Sequence, residues 1–196
     1  MKYVKMLGLL AVAATALMAF AATASATTVT SPAGSPYTGT IEATNEGTLT
    51  LVGVATVNCD HSYVRGTITQ HGIVNGNTVP ASGPIHELTF DECDQHVNVQ
   101  SGGTLEINSA GTLISKNATV EVEFTTIFGN IHCNFATTGT DVGDLTDAPS
   151  NSGHATLHIE ENDIPVEAEG SSFLCGATAE WNGAYTVTSP TGLVID

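Results

Sequence analysis

From residue 47 onward, apolar and polar side chains alternate with a period of two. In GTLTLVGVATVNC (47–59), Leu49, Leu51, Ala55, Val57 and Cys59 share one parity, and Thr48, Thr50, Thr56 and Asn58 share the other. A β-strand points successive side chains to opposite faces, so this pattern predicts a strand with one buried face. The same period recurs in HVNVQ (96–100), GTLEINS (103–109), ATVEVEFTTIF (118–128), HATLHIE (154–160) and GAYTVTS (183–189). Turn signals NGN, SGG, GN, SNSG and SPTG separate these runs, and no stretch after residue 26 follows a helical period. Many short antiparallel strands with turn punctuation predict an all-β domain. The expected architecture is an antiparallel β-sandwich, immunoglobulin-like or a related Greek-key or open barrel.

Near the C-terminus, FLCGATAEWNGAYTVTSP (173–190) places Phe173, Cys175, Ala177, Ala179 and Trp181 on one parity, with Gly183, Tyr185 and Val187 continuing it. This predicts a core-sealing strand in which Cys175 points inward beside the single tryptophan. Two segments read as irregular: SPAGSP (31–36) as a loose lead-in, and TTGTDVGDLTDAPSNSG (137–153) as an exposed loop.

The N-terminal segment has a different character. Lys2 and Lys5 precede an apolar run from Met6 to about Ala22, and Ala24-Ser25-Ala26 supplies a small-x-small cleavage site, so residues 1–26 read as a signal peptide with a helical apolar region. No second run of spanning length follows, which predicts no membrane span in the mature protein. Residues 27–196 form one domain's length of chain. This mature part keeps two basic residues, Arg65 and Lys116, against 20 acidic ones, a net charge of −18 with histidine neutral. Nucleic-acid binding needs Lys and Arg to displace counterions from phosphates, so the balance excludes nucleic acid as a partner. It fits a soluble protein outside the cell.

Cys59, Cys93, Cys133 and Cys175 all lie in the exported part, at spacings of 34, 40 and 42 residues. No C-x-x-C pair or zinc-ribbon spacing is present. Four spread cysteines in an oxidising compartment predict two disulfides, with three connectivities open. Cys59–Cys93 with Cys133–Cys175 is the expected pairing, because each joins probable strand neighbours across a loop of moderate length. The ending CGATAEWNGAYTVTSPTGLVI, with TLHIEENDIPV before it, resembles the tail of uncharacterised secreted bacterial proteins of actinobacterial type. The resemblance covers about the last 65 residues and the VNC and DEC neighbourhoods. It implies a signal peptide, four spread cysteines and a β-rich body, and no particular activity.

Enzyme motifs are absent. There is no G-x-S-x-G, no H-E-x-x-H, no P-loop and no dinucleotide fingerprint. His154 and His158 share a strand face but stand roughly 13 Å apart at about 3.3 Å per residue, too far for one ion. Two acidic groups are candidates for calcium, which takes six to eight oxygen ligands. Asp91, Glu92 and Asp94 flank Cys93, and a Cys59–Cys93 bridge brings Asp60 toward them. Asp141, Asp144 and Asp147 lie three apart in the expected loop. Neither group matches a calcium-loop motif, so no cofactor is assigned.

The function class expected from these features is a secreted or envelope-associated, non-enzymatic binding or structural module, with an extracellular protein or surface as its possible partner. Two alternatives stay open: a small secreted hydrolase with an unrecognised carboxylate or histidine site, and a pilin- or adhesin-like subunit. The mature protein is predicted to begin at Thr27. N-terminal sequencing of exported material checks this, and a folded soluble product that retains residues 1–26 would overturn the secretion argument.

Overall fold

The computed structural model describes residues 27–196 apart from 33, 128 and 168. The expected signal segment, residues 1–26, lies outside the described residues. Twelve strands follow one another: β1 (Val29–Thr30), β2 (Thr40–Val52), β3 (Thr56–Thr67), β4 (Gln70–Val74), β5 (Asn77–Cys93), β6 (His96–Ser101), β7 (Thr104–Ile107), β8 (Thr112–Thr126), β9 (Gly129–Thr146), β10 (Thr156–Pro165), β11 (Thr178–Ser189) and β12 (Val194–Ile195). Among the described residues no helix is long and apolar enough to cross a membrane.

Eight of these strands form a closed antiparallel ring. β2 pairs with β3, β3 with β5, β5 with β7, and β7 to β11 pair each with the next. The ring shuts where β11 pairs back onto β2, from Trp181↔Leu51 to Val187↔Ala43. Ring neighbours follow sequence order, as in an up-and-down barrel. The all-β antiparallel reading therefore stands, but the expected sandwich or open barrel is a closed barrel. Alternation cannot separate these architectures, since each buries one face of every strand. Closure comes instead from bends at register shifts, such as Thr44/Leu49 in β2, Asn182/Ala184 in β11 and Lys116/Thr119 in β8.

Turns and one register shift account for three local departures from the sequence reading. Residues 47–59 are a hairpin rather than one strand. Leu49 and Leu51 on β2 face Cys59 and Val57 on β3, and Ala55 lies exposed in the turn. The expected loop 137–153 is strand as far as Thr146, because a register shift breaks its alternation. Val142 and Leu145 are both buried although three residues apart. Gly143 makes this possible: it has φ 139°, and a Cβ there would stand 1.8 Å from the His158 carbonyl oxygen. Phe173–Cys175 is a 3-10 turn capped by Ser172, with Phe173 93% exposed, so the inward parity of the last long strand begins only at Ala179. Cys175 is nevertheless buried in the same cluster that Trp181 packs against.

The lead-in is also anchored, contrary to expectation. Thr28 and Asp196 exchange backbone hydrogen bonds of 2.8 Å, and the Ser31 hydroxyl donates to the Thr191 carbonyl at 2.7 Å. This β1–β12 ribbon buries Val29 and Leu193 against one end of the barrel. The opposite end carries both disulfides. Cys133–Cys175 ties β9 to the 3-10 turn, and Cys59–Cys93 joins directly paired residues of β3 and β5. These are the pairs that the sequence reading joined.

β3 and β5 neighbour each other across the β4 excursion, so Cys59–Cys93 staples a ring contact that no tight hairpin enforces. Replacing both cysteines (Cys59→Ser with Cys93→Ser) is expected to lower stability by roughly 3–4 kcal/mol on the chain-entropy account. Denaturant unfolding measures it; a loss below about 1 kcal/mol would show that the β3–β5 ladder holds without the bridge.

Candidate functional site: the barrel bore

The acidic residues singled out in the sequence lie on the outside; several accept local hydrogen bonds, and Asp91, Glu92 and Asp94 line one open polar concavity of about 660 Å³ with His96 and Glu123. Asp94 accepts the Asn58 backbone N–H at 3.0 Å and its side-chain amide at 2.9 Å. Asp60 accepts the Thr48 hydroxyl at 3.0 Å. Asp91 pairs with His61 in the ladder, and Glu92 stands 3.5 Å from the same imidazole with both side chains exposed. Asp141 accepts the Gly143 N–H two residues on, Asp147 accepts the Ile195 N–H at 2.8 Å, and Asp144 sits in register between Thr112 and His158. Among the described residues, no three or more His, Cys, Asp or Glu side chains are arranged to hold a metal ion. The histidines serve the wall as well. His154 Nδ1 donates to the Val187 carbonyl at 2.7 Å, and His132 Nδ1 lies 2.9 Å from Glu121. That hydrogen bond holds the Glu121 carboxyl below its ordinary range.

The inside of the barrel has the opposite chemistry. Its buried side chains fall into two clusters. One centres on Leu49, Leu113, Leu157 and Val187, and the other on Val122, Phe124, Phe135 and the two disulfides. Phe90 and Trp181 pack against both, so they form the waist between them. Trp181 meets Phe90 edge-on at 5.7 Å and Tyr185 at 6.4 Å, a geometry that favours aromatic pairs by about 0.5–1.5 kcal/mol beyond burial. Gly183, between Trp181 and Tyr185 on the inward parity, leaves room for Leu49: a Cβ there would stand 2.0 Å from Leu49 Cδ2.

Three cavities of about 50, 60 and 50 Å³ run along this bore. The first and the middle share Val64, Ile85, Leu105 and Leu157; the middle and the third share Leu88, Ala118 and Trp181. No charged side chain lines any of them. The polar groups at the waist are few. Ser62 donates to the Thr89 carbonyl at 2.6 Å and so accepts from the Tyr185 hydroxyl at 2.9 Å. Ser115 and Thr137 share a hydrogen bond of 2.9 Å, and Thr137 also accepts the Ala118 N–H. Burial pushes the Tyr185 phenol far above its ordinary range, so it remains a neutral donor. Trp181 Nε1 is buried and has no hydrogen-bond partner.

The wall beside the waist is not continuous. β5 pairs with β3, β4 and β7, whereas β6 pairs with β8 alone, so β5 and β6 splay apart after their turn at Asp94-Gln95. The last backbone bond across this seam runs from Ile85 N to Gly103 O at 2.9 Å. Beyond it, half-buried Leu88, Phe90 and Val97 line the third cavity and separate it from solvent.

The sequence reading missed this belt. Its signal was a hydroxyl on an apolar parity: Thr137 continues Ile131, Cys133 and Phe135, and Ser115 continues Leu113. No family model, no curated protein and no solved structure matches the chain.

With Asp60, Asp94 and Asp147 engaged in local hydrogen bonds and no three of these side chains arranged around one ion among the described residues, no calcium-specific stabilisation is predicted. Thermal melts in EDTA, in CaCl₂ and in NaCl at matched ionic strength are expected to differ only by screening. A rise of several degrees unique to calcium would reveal a site that these side-chain positions do not form.

Proposed function

We propose that this is an exported, non-enzymatic binding module whose barrel takes a small apolar molecule into its bore. The observation that carries the reading is the row of apolar cavities meeting at Trp181, beside a stretch of wall without ladder hydrogen bonds. An eight-stranded barrel is either filled by its own side chains or holds one small ligand, and this one leaves unfilled volume at its waist. Two disulfides fit an oxidising compartment, which supports export. Within the bore, the lining offers neither a carboxylate nor a histidine to a hydrolytic step, so the hydrolase alternative rests on the open outer concavity lined by Asp91, Glu92, Asp94, His96 and Glu123. The ring pairs its strands on both sides except along the β5–β6 seam, so an adhesin-type strand addition would have only that stretch to fill.

Benzene is a suitable first probe: an apolar protein cavity of about 150 Å³ accepts it, and the neighbouring cavities of about 50–60 Å³ each must merge to do so. At saturation it is expected to raise the melting temperature by about 2–5 °C and to change the emission of the single tryptophan. Ala118→Leu fills the space shared by the middle and third cavities and is expected to abolish both responses. A wild-type protein that shows neither response would overturn the reading.

A further inference from the structure

We propose that the molecule taken into the bore is neutral and carries a hydrogen-bond acceptor, a carbonyl or ether oxygen, that receives the Nε1–H of Trp181. This rests on the reading of the bore as a binding site and specifies its ligand chemistry.

The indole lines the middle and third cavities, and its N–H is buried without a partner. Buried indole donors ordinarily find an acceptor, because the hydration lost on burial is not otherwise replaced. The neighbours do not supply one. Phe90 and Tyr185 meet the indole in T-shaped contacts, and the Tyr185 hydroxyl is committed to Ser62. Ser62 is bonded onward to Thr89, and Ser115 and Thr137 are bonded to each other. The waist therefore holds one unspent donor among hydroxyls that are already satisfied.

Charge excludes ionic ligands. No Lys, Arg, His, Asp or Glu lines the three cavities, so an ion brought inside would lose its hydration uncompensated. A ligand rich in donors fails for a similar reason, because the wall is mostly aliphatic. The chemistry that remains is a compact hydrocarbon body with one acceptor, of the size of a six-membered ring. Access for it lies along the β5–β6 seam, where Leu88, Phe90 and Val97 side chains must shift but no ladder hydrogen bond must break.

The test compares two probes of nearly equal shape on the purified protein. Cyclohexanone presents C=O where methylenecyclohexane presents C=CH₂. The protein has one tryptophan, so its ¹H–¹⁵N spectrum holds a single indole signal that reports on Nε1. Cyclohexanone is expected to bind about tenfold more tightly and to move the indole proton downfield. Trp181→Phe keeps a ring and removes the donor; it is expected to bring the two probes to equal affinity, read from methyl signals of the bore. Equal affinities on the wild-type chain with an unmoved indole signal would overturn the acceptor while leaving the bore as a site. If neither probe disturbs any bore-lining signal, the binding reading fails and the acceptor with it. The wild-type comparison decides the matter even if the variant does not fold.

Discussion

Closure of the sheet is the constraint on which the rest of the molecule depends. Once β11 pairs with β2 and β3 with β5, the inward faces of eight strands enclose one volume that the chain's own side chains fill apart from the small cavities along the bore. Each inward position must then match those opposite it. Gly183 is small because Leu49 is large, and Trp181 meets Phe90 and Tyr185 in T-shaped contacts because three aromatics share one cross-section. The same closure gives the strands of the ring neighbours on both sides except along the β5–β6 seam, which limits the open edges that invite aggregation in all-β proteins to that stretch.

The ends and the charge follow from that closure. A barrel exposes two mouths, and here each is closed differently. The β1–β12 ribbon lays Val29 and Leu193 over one, whereas the disulfides and the phenylalanine pair Phe124 and Phe135 occupy the other. Outward positions carry the acidic excess. Arg65 pairs with Glu87 and Lys116 with Glu106, so both cations of the described chain are engaged. Exposed pairs of this kind contribute little, so the mutual repulsion of the remaining carboxylates is offset by the core and the bridges rather than by ion pairing.

Legibility in the sequence followed the physics of each feature. Period-two alternation depends only on one face being buried, so the strand content and the inward parity of Leu49, Val57, Cys59, Tyr185 and Val187 could be read directly. Barrel against sandwich could not, because the choice lies in register shifts and in which distant strands meet. The same shifts hid the strand in 137–146: at Gly143 the alternation slips, and a segment rich in Gly, Asp and Thr then looks like loop. The acidic groups were legible as residues but not as geometry. Proximity in sequence put Asp91, Glu92 and Asp94 together, and the fold keeps all three on one open concavity but turns Asp94 onto Asn58, so they do not converge on one ion. The bore was the reverse case. Its hydroxyls were visible on apolar parities, but their convergence at one waist required the ring to close.

An unpaired indole donor at that waist has a definite energetic meaning. Leaving a buried N–H without an acceptor costs about 1–3 kcal/mol, whereas a phenylalanine of similar reach would carry no such penalty. The barrel tolerates the cost because its closure, its two bridges and its apolar clusters hold the waist regardless of what Trp181 Nε1 meets. Such tolerance separates stability from recognition. The ring fixes where the indole stands, and the splayed β5–β6 seam leaves the neighbouring wall without ladder bonds to break. A molecule that supplies the missing acceptor then gains the bond against a group already positioned and already stripped of water. Little ordering is left for binding to oppose, so even a small ligand retains most of the bond as affinity.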